Sequence, residues 1–333
     1  MNRLSKPRAR DILNRASGVR ILVVGDLMLD RYIIGSVDRI SPEAPVPVVR
    51  VEGESLAVGG AGNVAANIVA LGSSCEVVGC VGDDPEGGLL LSRLREMGVG
   101  TDGIVTVPGR PTTVKTRIMA RHQHVTRVDR EDSSDIPADW VEALLAQVRE
   151  KAAEAHGMAL EDYNKGVLVR PVIQGAVEMG LSGGLPVVVD PKRLRFFEYR
   201  GATVFKPNAR ELEDAVGDRI RAEDPEWMES VRVRLEVENL LLTLGERGMA
   251  LQSATEGYLR VPTVARDVYD VSGAGDTVTA VMSVGLAVGA SSLEAAVLAN
   301  HAAAVEVGKA GVATVSPGEI LRQQKAFSHE DDR

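Results

Sequence analysis

Short runs of β-branched and aliphatic residues, each ending at or beside a glycine or polar residue, constrain this chain more than any other feature. They are Arg20-Ile-Leu-Val-Val-Gly-Asp26, Cys75–Val81, Pro186–Asp190, Val204–Lys206 and Asn239–Thr243. None alternates apolar with polar residues, so each reads as a strand buried on both faces, the pattern of a parallel sheet covered by helices. Segments with helical spacing lie between them: Val64–Leu71 stopped by Gly72, then Glu86–Met97, Trp140–Ala155, Arg210–Val216, Ala274–Val288 and Leu293–Val307. Strands alternating with helices predict an α/β fold, a doubly wound and mainly parallel sheet with helices on both faces.

Two stretches break the alternation. Between Arg31 and Glu54 the chain looks extended, and Pro42, Pro45 and Pro47 forbid a helix and favour an edge strand. Further strands are expected at Val105–Pro108, Thr112–Ala120 and Val125–Asp129, and a hairpin over Met249–Val261. The organisation expected is an N-terminal extension over 1–19, one domain over 20–320 with a small β-sheet lid inserted at about 31–54 and 105–130, and a polar tail over 321–333.

Charge narrows the partners. With 38 Lys and Arg against 47 Asp and Glu, the net charge of −9 repels nucleic acid and anionic membrane, so neither is an expected partner. Any anionic ligand needs a local basic cluster. The 333 residues bury enough apolar surface to fold without disulfides. Cys75 and Cys80 have odd spacing in one strand, which points them to opposite faces as buried free thiols of a reducing compartment. Met1–Arg20 has no apolar stretch of a secretory signal, and the longest uncharged run, Thr277–Leu293, reads as a buried helix and turn. A cytoplasmic location is expected.

The sharpest local motif is Asp270-Val-Ser-Gly-Ala-Gly-Asp276, followed at once by a small-residue helix. Gly273 and Gly275 let successive N–H groups point outward at the helix N-terminus, where the dipole adds positive charge, so the turn suits phosphate oxygens. Asp276 at its mouth is either a helix cap or a base that takes a proton from an attacking hydroxyl. Other phosphate signatures fail: there is no G-x-x-x-x-G-K-[ST], and Gly59-Gly-Ala-Gly-Asn63 does not complete G-x-G-x-x-G. This disfavours a nicotinamide oxidoreductase. Asn63 either binds sugar hydroxyls or caps its helix.

Asn208 and Glu211 in Lys206-Pro-Asn-Ala-Arg-Glu211 have capping-box spacing, and the same pair can position Mg2+-bound water near nucleotide phosphates. Thr243-Leu-Gly-Glu-Arg-Gly248 is a glycine turn after a strand, and Asp190-Pro-Lys192 leaves a cation at a strand end. Cations concentrate over Lys115–Arg130. As a strand, Lys115 and Arg117 share a face, which is either solvated or, with Arg121 and Arg127, a clamp for a phosphorylated substrate. His122 and His124 lack the convergent ligands of a metal site.

Gly59-Gly-Ala-Gly-Asn63 with Leu71-Gly72, and Asp270–Asp276, resemble the two signatures of the ribokinase-like (PfkB) carbohydrate kinases, in order and over about Arg20 to Glu319. Within that family, Gly25–Tyr32, Ser36–Val49, Arg127-Val-Asp-Arg130, Asp162–Gly166 and Asp190-Pro-Lys192 resemble kinases of D-glycero-β-D-manno-heptose 7-phosphate. The resemblance implies an ATP-dependent kinase with Mg2+, and leaves K+ open. It implies Asp276 as catalytic base with Gly273, Ala274 and Gly275 as anion hole. ATP would meet Asn208, Ala209, Arg210, Glu211, Thr243, Gly245, Gly248 and Asn300, with Glu211 holding the metal through water. The sugar phosphate would meet Asp30, Gly60 and Asn63, with Lys115, Arg121, Arg127 and Lys192 as candidates for its phosphate. The lid would join two copies into a homodimer. Rival readings are a kinase for another sugar or nucleoside, such as fructose 6-phosphate or ribose, and a non-catalytic sensor on the same fold.

Three departures from the family stand out. Glu161-Asp162-Tyr163 occupies a place where Ser-Asp-Tyr is commoner, and Ala155–Leu160 before it lacks the apolar strand expected there. The chain also ends soon after its last helix, so no adenylyltransferase module is expected, and a separate enzyme would add the adenylyl group.

Overall fold

Along the first apolar run, Ile21 and Val23 pack into one core while Leu22 and Val24 pack into another, all four fully buried. Alternate residues of one strand reaching two cores requires helices on both faces of the sheet. The computed structural model, which describes residues 4–121, 123–265, 268–309 and 311–328, has that architecture. The first third runs α1 (Lys6–Arg15), β1 (Arg20–Gly25), β2 (Leu27–Ile40), β3 (Pro47–Gly60), α2 (Ala61–Ala70), β4 (Ser74–Gly82), α3 (Pro85–Glu96) and β5 (Gly100–Val107). The middle runs β6 (Thr113–Ala120), β7 (Gln123–Arg130), α4 (Ala138–Ala152), β8 (Gly157–Glu161), α5 (Arg170–Ser182), β9 (Val187–Asp190) and β10 (Val204–Phe205). The rest is α6 (Ala209–Val216), α7 (Pro225–Leu235), β11 (Asn239–Thr243), β12 (Met249–Ser253), β13 (Gly257–Val261), α8 (Ala274–Ala287), α9 (Ser292–Glu306) and α10 (Pro317–Ser328).

The main sheet has the order β13-β12-β11-β10-β9-β8-β1-β4-β5. It is parallel from β11 through β5, with the β12–β13 hairpin added antiparallel at one edge. Side chains of α1, α2, α3, α8, α9 and α10 fill the first core, and those of α4, α5 and α7 fill the second. Cys75 and Cys80 are free and buried, one in each core, as their odd spacing requires. Among the described residues, no helix is long and apolar enough to cross a membrane.

A second sheet, ordered β3-β2-β6-β7, carries the proline-containing segment. β2 and β3 are long antiparallel strands whose pairing slips between Ile34 and Gly35 and between Val37 and Arg39, and Pro47 is the first residue of β3 on the outer edge. Both strands begin or end in the main body, where Leu27–Asp30 and Val58–Gly60 are buried, and then run out to solvent. β5, by contrast, pairs with β4, so residues 105–107 belong to the main sheet. His122 lies outside the described residues.

The expectation of no strand over Ala155–Leu160 is wrong. Gly157-Met-Ala-Leu-Glu161 forms β8, near the middle of the sheet between β1 and β9, and every residue in it is buried. The run looks weak because Gly157 and Ala159 are small. They are small where the sheet is crowded: a side chain on Gly157 would meet Ala287 and Ile21 at 3.3 Å. Met158 and Leu160 serve the opposite core. The helices α5 and α7 were also not legible in the sequence. Gly175 and Gly180 interrupt the pattern of α5, but a side chain at Gly180 would sit 2.4 Å from Val187, so glycine there permits helix–sheet contact. Leu160→Ala leaves a cavity in the second core, and a loss of about 2–5 kcal/mol is expected, read as a lowered urea midpoint.

Candidate active site

β1 has β4 on one side and β8 on the other, so the chain's winding direction reverses there. In open α/β sheets, ligands bind in the crevice beyond the strand carboxyl ends at such a reversal. Three acidic residues stand at those ends: Asp26 after β1, Glu161 closing β8, and Asp190 closing β9, with Glu161 and Asp190 in register.

Asp26 is not available to a ligand. Fully buried, its carboxylate accepts N–H bonds from Tyr163 at 2.8 Å, Lys165 at 2.9 Å and Val167 at 3.1 Å. Its own N–H bonds Glu161 O and its carbonyl accepts from Ala61 N–H, so one residue ties β1, β8, α2 and the loop after β8 together. Asp162 braces the same loop, accepting from the Tyr199 hydroxyl at 2.7 Å and Asn164 N–H at 2.7 Å. Burial, then the Asp26 charge, pushes its carboxyl up to about 7.

The loop delivers Tyr163 to Asp276. The Tyr163 hydroxyl donates to Asp276 Oδ1 at 2.9 Å, and Asn63 Nδ2 donates to Asp276 Oδ2 at 2.6 Å. Capping explains neither residue: α8 is capped by Gly273, at φ 97° and without a side-chain cap bond, and Asp276 is its third residue. Asn63 is likewise the third residue of α2, whose cap is Gly60 at φ 58°. The N–H groups of Ala274, Gly275 and Asp276 thus face outward with the positive end of the α8 dipole. Burial pushes the Asp276 carboxyl up to about 6. The Asn63 and Tyr163 hydrogen bonds oppose that rise, and the neighbouring Asp190 charge adds to it. A carboxylate so tuned is ionised at neutral pH yet basic enough to accept a proton.

Around this base lies a dense charge cluster. Lys206 Nζ is 2.7 Å from Asp190 Oδ2, with both side chains almost fully buried. Gly275 lies beside that pair: a Cβ there would be in ordinary contact with it, 3.5 Å from Lys206 and 3.7 Å from Asp190. Lys192 lies 4.7 Å over the Tyr163 ring and bonds Glu211 Oε1 at 2.6 Å. Burial first, then the Asp190 and Asp276 charges, push the Glu161 carboxyl well above its ordinary range. Glu306, at the end of α9, is 1% exposed, and burial followed by Asp270 and Asp276 raises it to about 8.

On the expected nucleotide side, Asn208 and Glu211 form a complete capping box at the start of α6, with Ala209 and Arg210 as its first residues. Glu211 Oε2 accepts Asn208 N–H at 2.8 Å while Oε1 takes Lys192. Thr243 ends β11 and bridges to Asn208. Gly245 and Gly248 both have positive φ, and a side chain at Gly248 would strike Val261 O at 2.2 Å. Asn300 of α9 donates to Pro262 O at 2.8 Å, fixing the chain as it leaves β13.

On the expected sugar side, Gly60 approaches Asp26 so closely that a side chain would lie 2.4 Å from the Asp26 carbonyl. Asp30, 4% exposed, pairs with Arg117. Register puts Ser55, Tyr32, Arg117 and Arg127 in one row across the small sheet, and Ala57, Asp30, Lys115 and Asp129 in the next on the same face. Lys115 bonds Glu131 at 3.2 Å and faces Asp129 at 3.5 Å, while Arg127 bonds Asp129 at 2.9 Å. Arg121, at φ 55°, sits at the exposed β6–β7 turn, apart from these rows.

Sequence reasoning did not single out Tyr163, Glu161 or Lys206 as members of the site. One signal was present: carboxylates closing two adjacent parallel strands must meet at the sheet's ligand-binding edge.

Residues 19–318 match the family model described as pfkB family carbohydrate kinase. "Bifunctional protein HldE" of Geotalea uraniireducens is 44% identical over 322 residues, covering 96% of this chain and 66% of that protein. The protein of the same name from Wolinella succinogenes is 45% identical over 312 residues, covering 93% of this chain and 65% of its own length. The chain thus spans about two thirds of the curated relatives it matches. Arabidopsis thaliana ribokinase complexed with ribose and ATP superposes with TM-score 0.73 at 22% identity, over 92% of this chain and 99% of that one. Escherichia coli phosphofructokinase-2 in complex with potassium gives 0.75 at 20%, over 93% and 99%. These two structures share the fold, including a large mainly parallel sheet.

Because the Tyr163 hydrogen bond favours ionised Asp276, Tyr163→Phe raises the Asp276 pKa. The acidic limb of the pH–rate profile, expected near pH 6 in the unaltered chain, then moves to higher pH; an unmoved limb would separate Asp276 from the titration.

Proposed function

The chain belongs to the pfkB family of carbohydrate kinases, and from that premise we propose that it transfers the γ-phosphoryl group of ATP to O1 of D-glycero-β-D-manno-heptose 7-phosphate, giving the 1,7-bisphosphate and ADP in ADP-heptose synthesis. The observation that carries the reading is Asp276, buried at the N-terminus of α8, where Gly273 caps the helix without a side-chain bond, and held by Asn63 and Tyr163. Asp276 accepts the O1 proton as that oxygen attacks the terminal phosphate. The N–H groups of Ala274, Gly275 and Asp276 face the charge that develops on the phosphoryl oxygens. The lid covers the sugar and excludes water.

The choice of sugar rests on the heptose-kinase-like segments Gly25–Tyr32 and Ser36–Val49, and on cations for a second phosphate. Arg117 and Arg127 stand directly opposite each other on β6 and β7, paired with Asp30 and Asp129 respectively, and a guanidinium fork suits phosphate. Lys115 and Lys192 remain candidates in the same reading. The curated relatives are named as bifunctional; the present proposal covers one activity, the one that belongs to the matched kinase region.

Mg2+ entering with ATP neutralises phosphate charge. Glu211 fits a water-mediated contact to it, because two of its roughly four lone-pair sites are engaged by Lys192 and Asn208. K+ is the candidate monovalent ion, and the cytoplasm, where ATP is available, the expected location. Exposed apolar residues on and beside the small sheet, Ile34, Ile40, Val46, Val51 and Val128, are 42–61% exposed and support a homodimer through the lid.

Asp276→Asn is expected to lower kcat by about 10²- to 10⁴-fold with ATP affinity by calorimetry unchanged. ADP release measured over heptose 7-phosphate, fructose 6-phosphate and ribose is expected to be fastest with the heptose. Turnover of fructose 6-phosphate with none of heptose 7-phosphate overturns the substrate assignment. Ile40→Asp combined with Val51→Asp is expected to halve the mass seen by light scattering, and a mass equal to that of the unaltered chain rejects the lid dimer.

A further inference from the structure

Among the described residues, Glu161 has no hydrogen-bond partner on either carboxylate oxygen, although it is fully buried. A buried carboxylate without partners is expensive, and native structures normally supply it with a donor, a proton or a metal. Its oxygens face two other buried carboxylates. Ligand atoms of Glu161, Asp190 and Asp276 all lie within 4.8 Å of one another.

The local charge does not balance. Lys206 neutralises one of the three through Asp190, and Lys192, the other cation beside Glu161, is engaged with Glu211. With Glu161 and Asp276 both ionised, as ligation of a cation requires, two negative charges face no ion-paired cation among the described residues, and a divalent cation would offset them. The donors are all hard carboxylate oxygens, the set suited to Mg2+ or Mn2+. Oxygens bound to one Mg2+ at about 2.1 Å stand roughly 3–4 Å apart, so closing the cluster onto an ion needs only small side-chain rotations.

We propose that Glu161, Asp190 and Asp276 form a divalent-cation site that fills in the protein free of nucleotide and sugar, with Glu161, whose oxygens are otherwise unpartnered among the described residues, as its key ligand. This site is separate from the water-mediated contact at Glu211 and needs no phosphate to complete it. It holds regardless of which sugar is phosphorylated, so its failure and failure of the heptose reading are distinguishable.

The test is an electron paramagnetic resonance titration of the substrate-free protein with MnCl2, in which bound Mn2+ loses the free-ion signal. One tight equivalent is expected for the unaltered chain, displaced by excess Mg2+. Glu161→Gln and Glu161→Ser are each expected to weaken it by at least about tenfold. Glu306→Gln, which removes a neighbouring buried carboxylate outside the cluster, is expected to leave binding intact. Mn2+ should also raise the melting temperature of the unaltered chain but not of Glu161→Gln, a readout that also reports whether the variant is folded. No bound Mn2+ in the unaltered chain, or equal binding in both Glu161 variants, overturns the site and leaves a proton as the answer to the unpartnered carboxylate.

Discussion

Asp26 is the constraint on which the rest of the site depends. Its carboxylate gathers three backbone N–H groups of the loop after β8, and its own backbone joins β8 to the start of α2. Burying a charge is costly, and three N–H donors offset that cost while fixing the loop's path. The loop carries Tyr163, and α2 carries Asn63. One residue that touches no reacting atom thus sets where both hydrogen-bond donors to Asp276 arrive.

The carboxylates show how burial and hydrogen bonding divide the work. Asp26 has its donors and is structural. Asp276 has two donors, one for each oxygen, and an elevated pKa, the balance a base requires. Glu161 has none, and Asp190 relies on a buried lysine. These differences follow from position: Asp26, Glu161 and Asp190 follow or close three parallel strands, while Asp276 lies in the first turn of α8, which packs against β8 and β9. Small residues make the approach possible. Gly273 turns the chain into α8 at positive φ, and Gly60 does the same for α2 while lying against the Asp26 carbonyl.

Much of this was legible in the sequence for definite reasons. The uninterrupted apolar runs could only be strands covered on both faces, and the odd spacing of Cys75 and Cys80 assigned them to opposite cores. The glycine–aspartate turn at 270–276 announced a helix start entered through a glycine, which is Gly273 at positive φ before α8. β8 was missed because glycine and alanine carry little hydrophobic signal, yet crowding at the sheet centre is what demands them. α5 was missed because Gly175 and Gly180 interrupt its apolar pattern, although a side chain at Gly180 would lie 2.4 Å from Val187, so glycine there serves close packing. The cations of 115–130 were legible as a group, but not their division. Lys115 and Arg127 both lean on Asp129, Arg117 turns to Asp30, and Arg121 stands apart at the turn.

Local sequence by itself determined the layered α/β class, the edge position of the strand that begins at Pro47, and the backbone geometry of the α8 N-terminus, because these follow from hydrophobic period and from residues with unusual dihedral restriction or freedom. Only the tertiary structure decided what Asp276 touches. Asn63 and Tyr163 are 213 and 113 residues away along the chain, and no spacing rule links them. Their meeting is set by the order in which strands assemble around β1, a property of long-range packing rather than of any local pattern.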